Sequence, residues 1–249
     1  MPRYFFRLAY NGTSFHGWQR QPKASSVQET IENALTKLNS NVPISIVGCG
    51  RTDAGVHASD YFFHVDFETS WDTEQTVFKL NKMLPDSIAI YEMFEVVSDF
   101  HARFDATKRT YRYFINRRKS PFKADESWHF VQDLDLDKMN QAAQLLIGQK
   151  DFTSFSKLHT DVKTNICEVY EARWSEKDGE VQFEISANRF LRNMVRAIVG
   201  TLVDVGLGKL KPEDIVAILE AKNRQEASVS VPAQGLFLWE IMYDFTFIQ

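Results

Sequence analysis

The order of the predicted elements constrains the fold most strongly, because the same order occurs twice along the chain. Alternating apolar and polar residues predict strands, and apolar residues three and four positions apart predict helices. These patterns give the order β-α-β-β-α-β over residues 3–95, and the order repeats from about residue 105. Tandem units of this kind place helices on one face of a mainly antiparallel sheet. We therefore expect an α+β protein with two domains, residues 1–104 and 105–249.

Local signals support this order. Ser26 and Glu29 form a capping-box pattern ahead of the first helix, and Asp72 is a suitable cap for the second. Asp178-Gly179 predicts a tight hairpin between two strands of the second half. The element order is that of RRM-like or ferredoxin-like units, and their uncovered sheet faces are expected to flank a central active-site cleft.

A helix over residues 190–204 is expected to carry the basic residues of the second half on one side. Apolar residues recur through this stretch at helical spacing. Arg189, Arg192 and Arg196 are three and four positions apart, so the helix would place them together opposite its apolar face.

Length and composition exclude several classes of protein. The chain has 249 residues, 44% hydrophobic and 25% charged, as in an ordinary soluble protein with room for two modest domains. No apolar run approaches the roughly 18 residues of a membrane span, and the first residues do not resemble a signal peptide. Cys49 and Cys167 lack paired spacing, which argues against a disulfide framework or a cysteine zinc site. We expect a cytoplasmic protein that does not bind membranes.

Positive charge is concentrated in three zones although the net charge is −4. Residues 1–28, 101–123 and 189–196 hold 15 basic residues and one acidic residue, against 14 basic and 32 acidic residues elsewhere. A basic channel on an acidic body attracts a polyanion to one face. The charges of residues 117–119 equally fit the solvated tip of a hairpin.

The segment GRTDAGVHA, residues 50–58, lies between two predicted strands. Gly48, Gly50 and Gly55 permit backbone angles and close approaches that side chains prevent. The segment also holds Arg51 and Asp53, two residues apart. One interpretation is a tight connection with a surface ion pair. The other is a carboxylate held rigidly for chemistry, beside a cation for a phosphate or a base.

Five blocks of sequence resemble, in the same order, the signature blocks of the tRNA pseudouridine synthase A (TruA) family. Five ordered blocks spanning about 230 residues are far more specific than any single motif. Departures are small, such as Asn11 where the family usually has aspartate and Cys49 where it commonly has alanine. The blocks are LAYNGTSFHGWQRQ (8–21), GRTDAGVHA (50–58), KRTYRY (108–113), FLRNMVRAIVG (190–200) and VPAQGL (231–236).

The resemblance implies an isomerase that needs no cofactor and no metal. Uracil would be detached from its ribose at N1, turned, and rejoined through C5. The implied substrate is tRNA, the implied targets are uridines 38, 39 and 40 of the anticodon stem-loop, and the implied working unit is a homodimer.

The resemblance also assigns roles to residues of this chain. Asp53 would be the nucleophile, attacking either C6 of the base or C1′ of the ribose. An aspartate is already ionised at neutral pH, so it needs orientation rather than an activating base. Arg196 would face this carboxylate as its cation, although its position also fits an exposed helical charge.

Four further residues are expected to bind the substrate. Arg51 would assist extrusion of the target nucleotide, which costs a few kcal/mol. Tyr111 would stack on the extruded uracil, although a tyrosine on a strand is often a core residue. Arg192 and His57 are assigned to substrate binding as well, His57 with a structural role as the alternative.

Other functions fit parts of the sequence. A non-catalytic RNA-binding protein of two RRM-like units would explain the element order, but the RNP1 motif is absent. A glycosidase cleaving the N-glycosidic bond needs a second carboxylate about 5 to 10 Å from the first, and none stands out. Asp53, His57 and Ser59 are too close in sequence to assemble a hydrolytic triad.

Overall fold

The first strand, Arg3–Tyr10, carries large apolar side chains, and the first sheet forms around it. In the computed structural model, which describes residues 1–157 and 164–245, residues 1–107 and 238–245 form one unit and residues 108–237 form a second. The last strand, which the sequence analysis assigned to the second domain, therefore runs mainly in the first unit.

The first unit has the predicted order β-α-β-β-α-β. Strand β1 pairs antiparallel with both β3 and β4, the short β2 pairs with β3, and the final strand β10 also lies beside β3. The elements are β1 (Arg3–Tyr10), α1 (Val27–Leu38), β2 (Val47–Gly48), β3 (His57–Asp66), α2 (Thr73–Met83) and β4 (Ile88–Val96).

Both helices of this unit begin at the predicted caps. The Ser26 hydroxyl accepts a hydrogen bond from the Glu29 backbone N–H at 3.2 Å, and the Asp72 carboxylate accepts one from Gln75 N–H at 2.8 Å. These bonds satisfy N–H groups that have no partner within the helix. Helix α2 ends at Met83, two residues before Pro85, and a proline disfavours helical geometry in the residue that precedes it.

Both faces of the first sheet carry aromatic contacts. On one face Phe6 stacks on Phe63, with ring centroids 4.6 Å apart. On the other face Phe5 packs against Phe100 and Tyr243 at 5.0 and 5.6 Å. The second face was expected to be uncovered, but here aromatic residues from the segment after β4 and from the end of β10 cover it.

The second unit contains one strand and one helix more than the minimal repeat. Its sheet has the order β5-β9-β8-β7, with β6 parallel to the end of β5. The elements are β5 (Ala106–Asn116), β6 (Trp128–His129), α3 (Leu136–Gln144), β7 (Gly148–Asp151), β8 (Ile166–Lys177), β9 (Glu180–Ala187), α4 (Met194–Gly206) and α5 (Asp214–Ala221). They are followed by β10 (Leu236–Tyr243), which runs mainly in the first unit.

The predicted hairpin lies between β8 and β9. Asp178 and Gly179 have φ angles of +54° and +78°, as a tight two-residue turn between antiparallel strands requires. The mixed α+β fold class is thus confirmed. Within residues 1–157 and 164–245, no helix combines the length and the apolar character needed to cross a membrane.

Helix α4 begins later than predicted. Its first residue is Met194, preceded by Asn193 in the left-handed conformation with φ of +65°. A helix does not continue through a left-handed residue, so Arg189 and Arg192 lie before the helix and only Arg196 is on it. The prediction that the three arginines share one helical face is wrong. The prediction placed the start of the helix too early because apolar residues also occur in the segment before it. Leu191 in that segment is buried although the segment is not helical.

Candidate active site

Asp53 lies on the segment between β2 and β3 and is partly exposed. Main-chain hydrogen bonds fix the segment on both sides of it. The Trp18 N–H donates to the Thr52 carbonyl at 3.4 Å, and the Gly55 N–H donates to the Phe15 carbonyl at 3.2 Å. The backbone that carries the carboxylate is therefore held against the segment that follows β1.

Two glycines outside the Asp53 segment make this close contact possible. A Cβ added to Gly12 would lie 2.0 Å from the Val56 carbonyl oxygen, and one added to Gly17 would lie 2.3 Å from the Thr52 oxygen. Gly17 also has a φ of +90°, which side chains disfavour. Both lie in the block of residues 8–21, whereas the sequence predicts the close approaches at Gly48, Gly50 and Gly55.

Only two of the three glycines first assigned to this role are needed. Gly48 lies under Tyr61, whose hydroxyl oxygen would be 2.3 Å from an added Cβ, and Gly55 has a φ of +76°. A Cβ at Gly50 would meet no atom within 4 Å, and Gly50 has no positive φ. The expectation for Gly50 is therefore wrong, because its surroundings are open.

Aromatic hydroxyls support the segment from below. Tyr10 Oη and Thr52 Oγ1 are 2.9 Å apart, and the Tyr61 hydroxyl donates to the Gly50 carbonyl. Trp18 stacks on Tyr61 with ring centroids 4.0 Å apart. Burial raises the pKa of Tyr61 well above its ordinary value, so this hydroxyl stays protonated and remains a donor.

Arg51 and His57 have different environments on the same segment. Arg51 is exposed and, within the described residues, takes part in no salt bridge, so the surface ion pair with Asp53 is not formed. His57 is 1% exposed, and its Nδ1 accepts a hydrogen bond from the Gly12 N–H at 3.0 Å. The burial of His57 supports its alternative, structural role, because the bond fastens the preceding loop.

Tyr111 lies on β5 opposite Ile185 of β9. Its side chain is partly exposed and contacts the Phe190 ring edge to face at 5.0 Å. Tyr113, two residues along the same strand, is fully buried and donates from Oη to the Pro232 carbonyl at 2.9 Å. Of these two tyrosines, Tyr113 is the core residue and Tyr111 remains accessible.

Arg196 is in the first turn of α4 and is partly exposed. Its Nε donates to the Val231 carbonyl at 2.8 Å, and the Val231 N–H donates back to the Arg196 carbonyl at 3.3 Å. The first bond restrains the guanidinium, and the second holds Val231 beside the helix. Arg192 lies before the helix and is exposed, and its carbonyl accepts from the Lys157 N–H at 3.1 Å.

Residues 231–235 support the side chains of Arg196 and Tyr113, a role that the sequence did not predict. The Val231 carbonyl holds Arg196, and the Pro232 carbonyl holds Tyr113. A Cβ added to Gly235 would lie 2.7 Å from the Tyr113 ring. The motif VPAQGL (231–236) is the signal in the sequence, but the motif alone does not indicate which side chains its carbonyl groups hold.

Many cations of the three basic zones pair with acids distant in sequence, so counting charges along the chain overstates the local positive charge. Most of these pairs do not follow from the sequence because their members are far apart along the chain, whereas Arg20 pairs with acids of the nearby helix α1. They include Arg3 with Asp66, Arg7 with Asp60 and Glu92, Arg20 with Glu29 and Glu32, Arg112 with Glu184, Arg117 with Asp133 and Glu176, and Lys123 with Glu180.

Comparison with known proteins identifies the family. The family model described as tRNA pseudouridine synthase matches residues 8–105 and 142–244. This chain belongs to the tRNA pseudouridine synthase family. The predicted enzyme class, an isomerase that forms pseudouridine from uridine in tRNA, is therefore confirmed.

Curated relatives agree over nearly the whole length. Proteins named tRNA pseudouridine synthase A from Bacteroides thetaiotaomicron and Porphyromonas gingivalis are each 49% identical to this chain, covering 98% of it and 91% and 98% of their own lengths. The protein of that name from Bacillus subtilis is 42% identical, covering 95% of this chain and 97% of its own length.

The pseudouridine synthase match includes most of the candidate site. Arg51, Asp53 and His57 lie in the first matched range, and Arg196 lies in the second. Tyr111 lies in residues 106–141, between the two ranges. Across the described ranges 1–157 and 164–245, no cluster of three His, Cys, Asp or Glu residues is arranged to hold a metal ion.

Proposed function

We propose that this synthase acts on uridines 38, 39 and 40 of the tRNA anticodon stem-loop, working as a homodimer with Asp53 as its nucleophile. The observation that carries the proposal is the position of Asp53. Its carboxylate is partly exposed on a backbone held by hydrogen bonds and by the close approach of Gly12 and Gly17. Such a carboxylate is oriented before substrate arrives, which is what an ionised nucleophile requires.

The reaction conserves all atoms of the nucleotide. The bond between N1 and C1′ breaks, the uracil turns, and a bond between C5 and C1′ forms. The proton on C5 is lost, and N1 gains a proton. Asp53 attacks either C6 of the base or C1′ of the ribose, and in both routes the carboxylate leaves again before the product is released.

The other assigned residues act on charge and on base position. Arg196 supplies the cation that balances the Asp53 carboxylate, and its hydrogen bond to Val231 fixes its orientation. Tyr111 stacks on the extruded uracil with its accessible ring. Arg51, exposed on the same segment as Asp53, assists extrusion by compensating the lost stacking.

Arg192 and His57 have supporting roles. Arg192 is exposed beside the start of α4 and contacts the RNA backbone. His57 acts through the loop at Gly12 that it fastens. Three neighbouring target positions favour recognition of RNA shape and backbone over reading of individual bases.

The first experiment replaces the nucleophile without changing its size. We expect Asp53→Asn to bind unmodified tRNA within a few fold of wild type while single-turnover isomerisation falls by about a thousandfold or more, because the amide is not a nucleophile. Asp86→Asn, at an exposed aspartate remote in sequence, is the control and retains wild-type activity. Isomerisation by Asp53→Asn near the wild-type rate would remove Asp53 from the mechanism.

Product analysis separates the proposed reaction from its alternatives. A nucleoside of unchanged mass and altered chromatographic mobility identifies the isomerase, a free base identifies a glycosidase, and unchanged RNA identifies a binding protein. Mapping pseudouridine in tRNA from cells that lack this chain tests positions 38, 39 and 40. Molar mass in solution tests the homodimer.

A further inference from the structure

The turn after β4 carries an exposed aromatic ring that the proposed mechanism does not use. Phe104 is 74% exposed, and two side chains lie close to its ring. The Arg103 guanidinium is 5.7 Å from the ring centroid, and the His101 ring centroid is 4.3 Å away. A single exposed apolar residue is common on protein surfaces, so exposure alone carries no argument.

What distinguishes this turn is how firmly the first unit holds it. The Ala102 N–H donates to His64 Nδ1 at 3.1 Å, and the Tyr243 hydroxyl donates to the Ala102 carbonyl at 2.6 Å. Arg3 donates to the Phe100 carbonyl at 3.1 Å. Side chains from β1, β3 and β10 thus fix the backbone at Phe100 and at Ala102, shortly before Phe104.

The turn is also closed upon itself. The His101 N–H donates to the Asp105 carboxylate at 2.6 Å, and the Asp105 N–H donates back to the His101 carbonyl at 3.1 Å. His101 Nδ1 accepts from the N–H groups of Arg103 and Phe104 at 3.0 and 3.4 Å. Every backbone N–H from residue 101 to residue 105 is therefore used, and the Phe104 ring is presented on a fixed support.

The charged groups around the turn include Arg103, whose guanidinium lies over the Phe104 ring. Asp66 forms a two-point ion pair with Arg3, and the Asp105 carboxylate accepts from the backbone of its own turn. Asp99 is exposed on the preceding segment. An aromatic face with an adjacent guanidinium matches the chemistry of a nucleotide, since bases stack on aromatic rings and guanidinium groups bind phosphate.

We propose that Phe104 is a stacking platform for an unpaired base of the RNA substrate, with Arg103 beside it for the adjoining phosphate. The proposal rests on the proposed function, which supplies an RNA whose bases are partly unstacked. A fixed ring binds a base at small entropic cost because the protein does not have to order the turn first. Every base offers a π face, so the contact requires no particular nucleotide.

The chain offers a matched control at Phe78 on α2. Phe78 is 63% exposed, and Lys82 Nζ is 5.7 Å from its ring centroid, the same separation as in the proposed platform. Its surroundings differ, because Glu74 and Glu92 line the same groove. Phe78 therefore reproduces an exposed Phe with a cation over its ring, at a place for which no RNA contact is proposed.

The experiment compares full-length wild type with Phe104→Ala, Phe104→Leu, Phe104→Trp and Phe78→Ala. For each protein, the dissociation constant for unmodified tRNA, the single-turnover rate at saturating enzyme, the melting temperature and the molar mass are measured. We expect Phe104→Ala and Phe104→Leu to weaken tRNA binding about 5- to 100-fold with unchanged melting temperature and molar mass. Phe104→Trp and Phe78→Ala should bind as wild type does.

Three results would overturn the proposal. One is that Phe104→Ala binds tRNA as tightly as wild type does, while wild type isomerises uridine. The proposed function would then stand without the platform. Another is a loss of affinity accompanied by a changed molar mass, which assigns Phe104 to a contact between protein copies. A third is Phe104→Leu binding as tightly as Phe104→Trp, which shows that an apolar side chain suffices. Failure of wild type itself to convert uridine would refute the proposed function and the platform together.

Discussion

Single glycines determine how closely the backbone that carries Asp53 is held. Gly12 and Gly17 lie in the segment after β1, and Cβ atoms added to them would be 2.0 and 2.3 Å from carbonyl oxygens of the Asp53 segment. Backbone oxygens cannot move aside as the end of a flexible side chain can. These contacts are therefore intolerant of even one methyl group, whereas Gly50 faces open space.

We predict that Gly17→Ala lowers the free energy of unfolding by about 1–3 kcal/mol and reduces activity. The added methyl group would lie 2.3 Å from the Thr52 oxygen at a φ of +90°, so both the contact and the backbone angle are unfavourable. Urea unfolding measures the change. Gly50→Ala is the control and should change stability by less than about 0.5 kcal/mol. Equal losses in the two variants would contradict the close-contact argument.

The stability of the fold also depends on pH through one buried histidine. His64 is 4% exposed and accepts a hydrogen bond from the Ala102 N–H through Nδ1. Burial, with Arg3 and His101 nearby, lowers the pKa of His64 from 6.5 to about 4. The neutral imidazole is the form that the folded chain accepts, because a proton on Nδ1 would displace the Ala102 bond.

We predict that wild type loses about 1–2 kcal/mol more stability than His64→Gln as pH falls from 7 to 4. The unfolded chain takes up a proton at His64 near pH 6.5 but the folded chain only near pH 4, so stabilisation is complete above pH 6.5 and lost below it. Urea unfolding at several pH values measures this difference.

The control for the pH experiment is His16→Gln, at an exposed histidine. It should follow the wild-type pH dependence. Asp66, whose pKa is lowered first by its hydrogen bond to Arg3, contributes an acid-sensitive term in all three proteins. Parallel pH dependences in wild type and His64→Gln would show that His64 does not titrate as argued.

At the scale of elements, helix α4 and the segment 227–235 act as one support. Gly200 lets the segment cross the helix, because an added Cβ would lie 2.0 Å from the Val229 oxygen. The Ser228 N–H donates to Thr201 Oγ1 at 3.1 Å, and the Val231 N–H donates to the Arg196 carbonyl. The orientation of Arg196 therefore depends on how closely a non-helical segment approaches the helix.

We predict that Gly200→Ala destabilises the protein by about 1–3 kcal/mol and reduces single-turnover isomerisation. In an exposed helix, replacing glycine by alanine raises the free energy of unfolding by roughly 1 kcal/mol. A lower free energy of unfolding in Gly200→Ala would therefore show that the added methyl group meets the segment that crosses the helix. Gly206→Ala in the same helix is the control. Its added Cβ would meet the flexible Met139 side chain, which can move, so a smaller loss is expected. Denaturant unfolding and activity measure both variants, and increased stability in Gly200→Ala would refute the crossing.

At the scale of the whole chain, the cations best placed to bind RNA phosphates are those that do not already pair with acidic residues of the protein. The net charge is −4, and Arg112 and Arg117 are among the cations of the basic zones that face glutamate or aspartate within the second unit. Nonspecific affinity for RNA depends on the cations that neutralise phosphates. Exposed residues without an acidic partner among the described residues, such as Arg118 and Lys119, are suited to this role.

We predict that tRNA affinity falls roughly a thousandfold between 50 and 200 mM monovalent salt, corresponding to about six phosphate contacts. Counterions released from the RNA cause this dependence, so it should appear equally with unmodified and modified tRNA. Fluorescence anisotropy with labelled tRNA at a series of salt concentrations gives the slope. A flat salt response would contradict recognition through the RNA backbone.

The sequence by itself determined the features that depend on residues close along the chain. Ser26 and Asp72 cap helices because capping joins groups three residues apart, and Asp178-Gly179 forms a turn because its two residues adopt positive φ angles. The order of elements and the family resemblance were available for the same reason, since both are written in local patterns.

The tertiary structure decided which of these local possibilities are used. It moved the start of α4 to Met194, gave the close-contact role to Gly12 and Gly17, and paired Arg112 with Glu184, 72 residues away. It also brought aromatic cover to a sheet face that was expected to be open. In each case the deciding neighbour is distant in sequence, and packing against it outweighs the preference of the local segment.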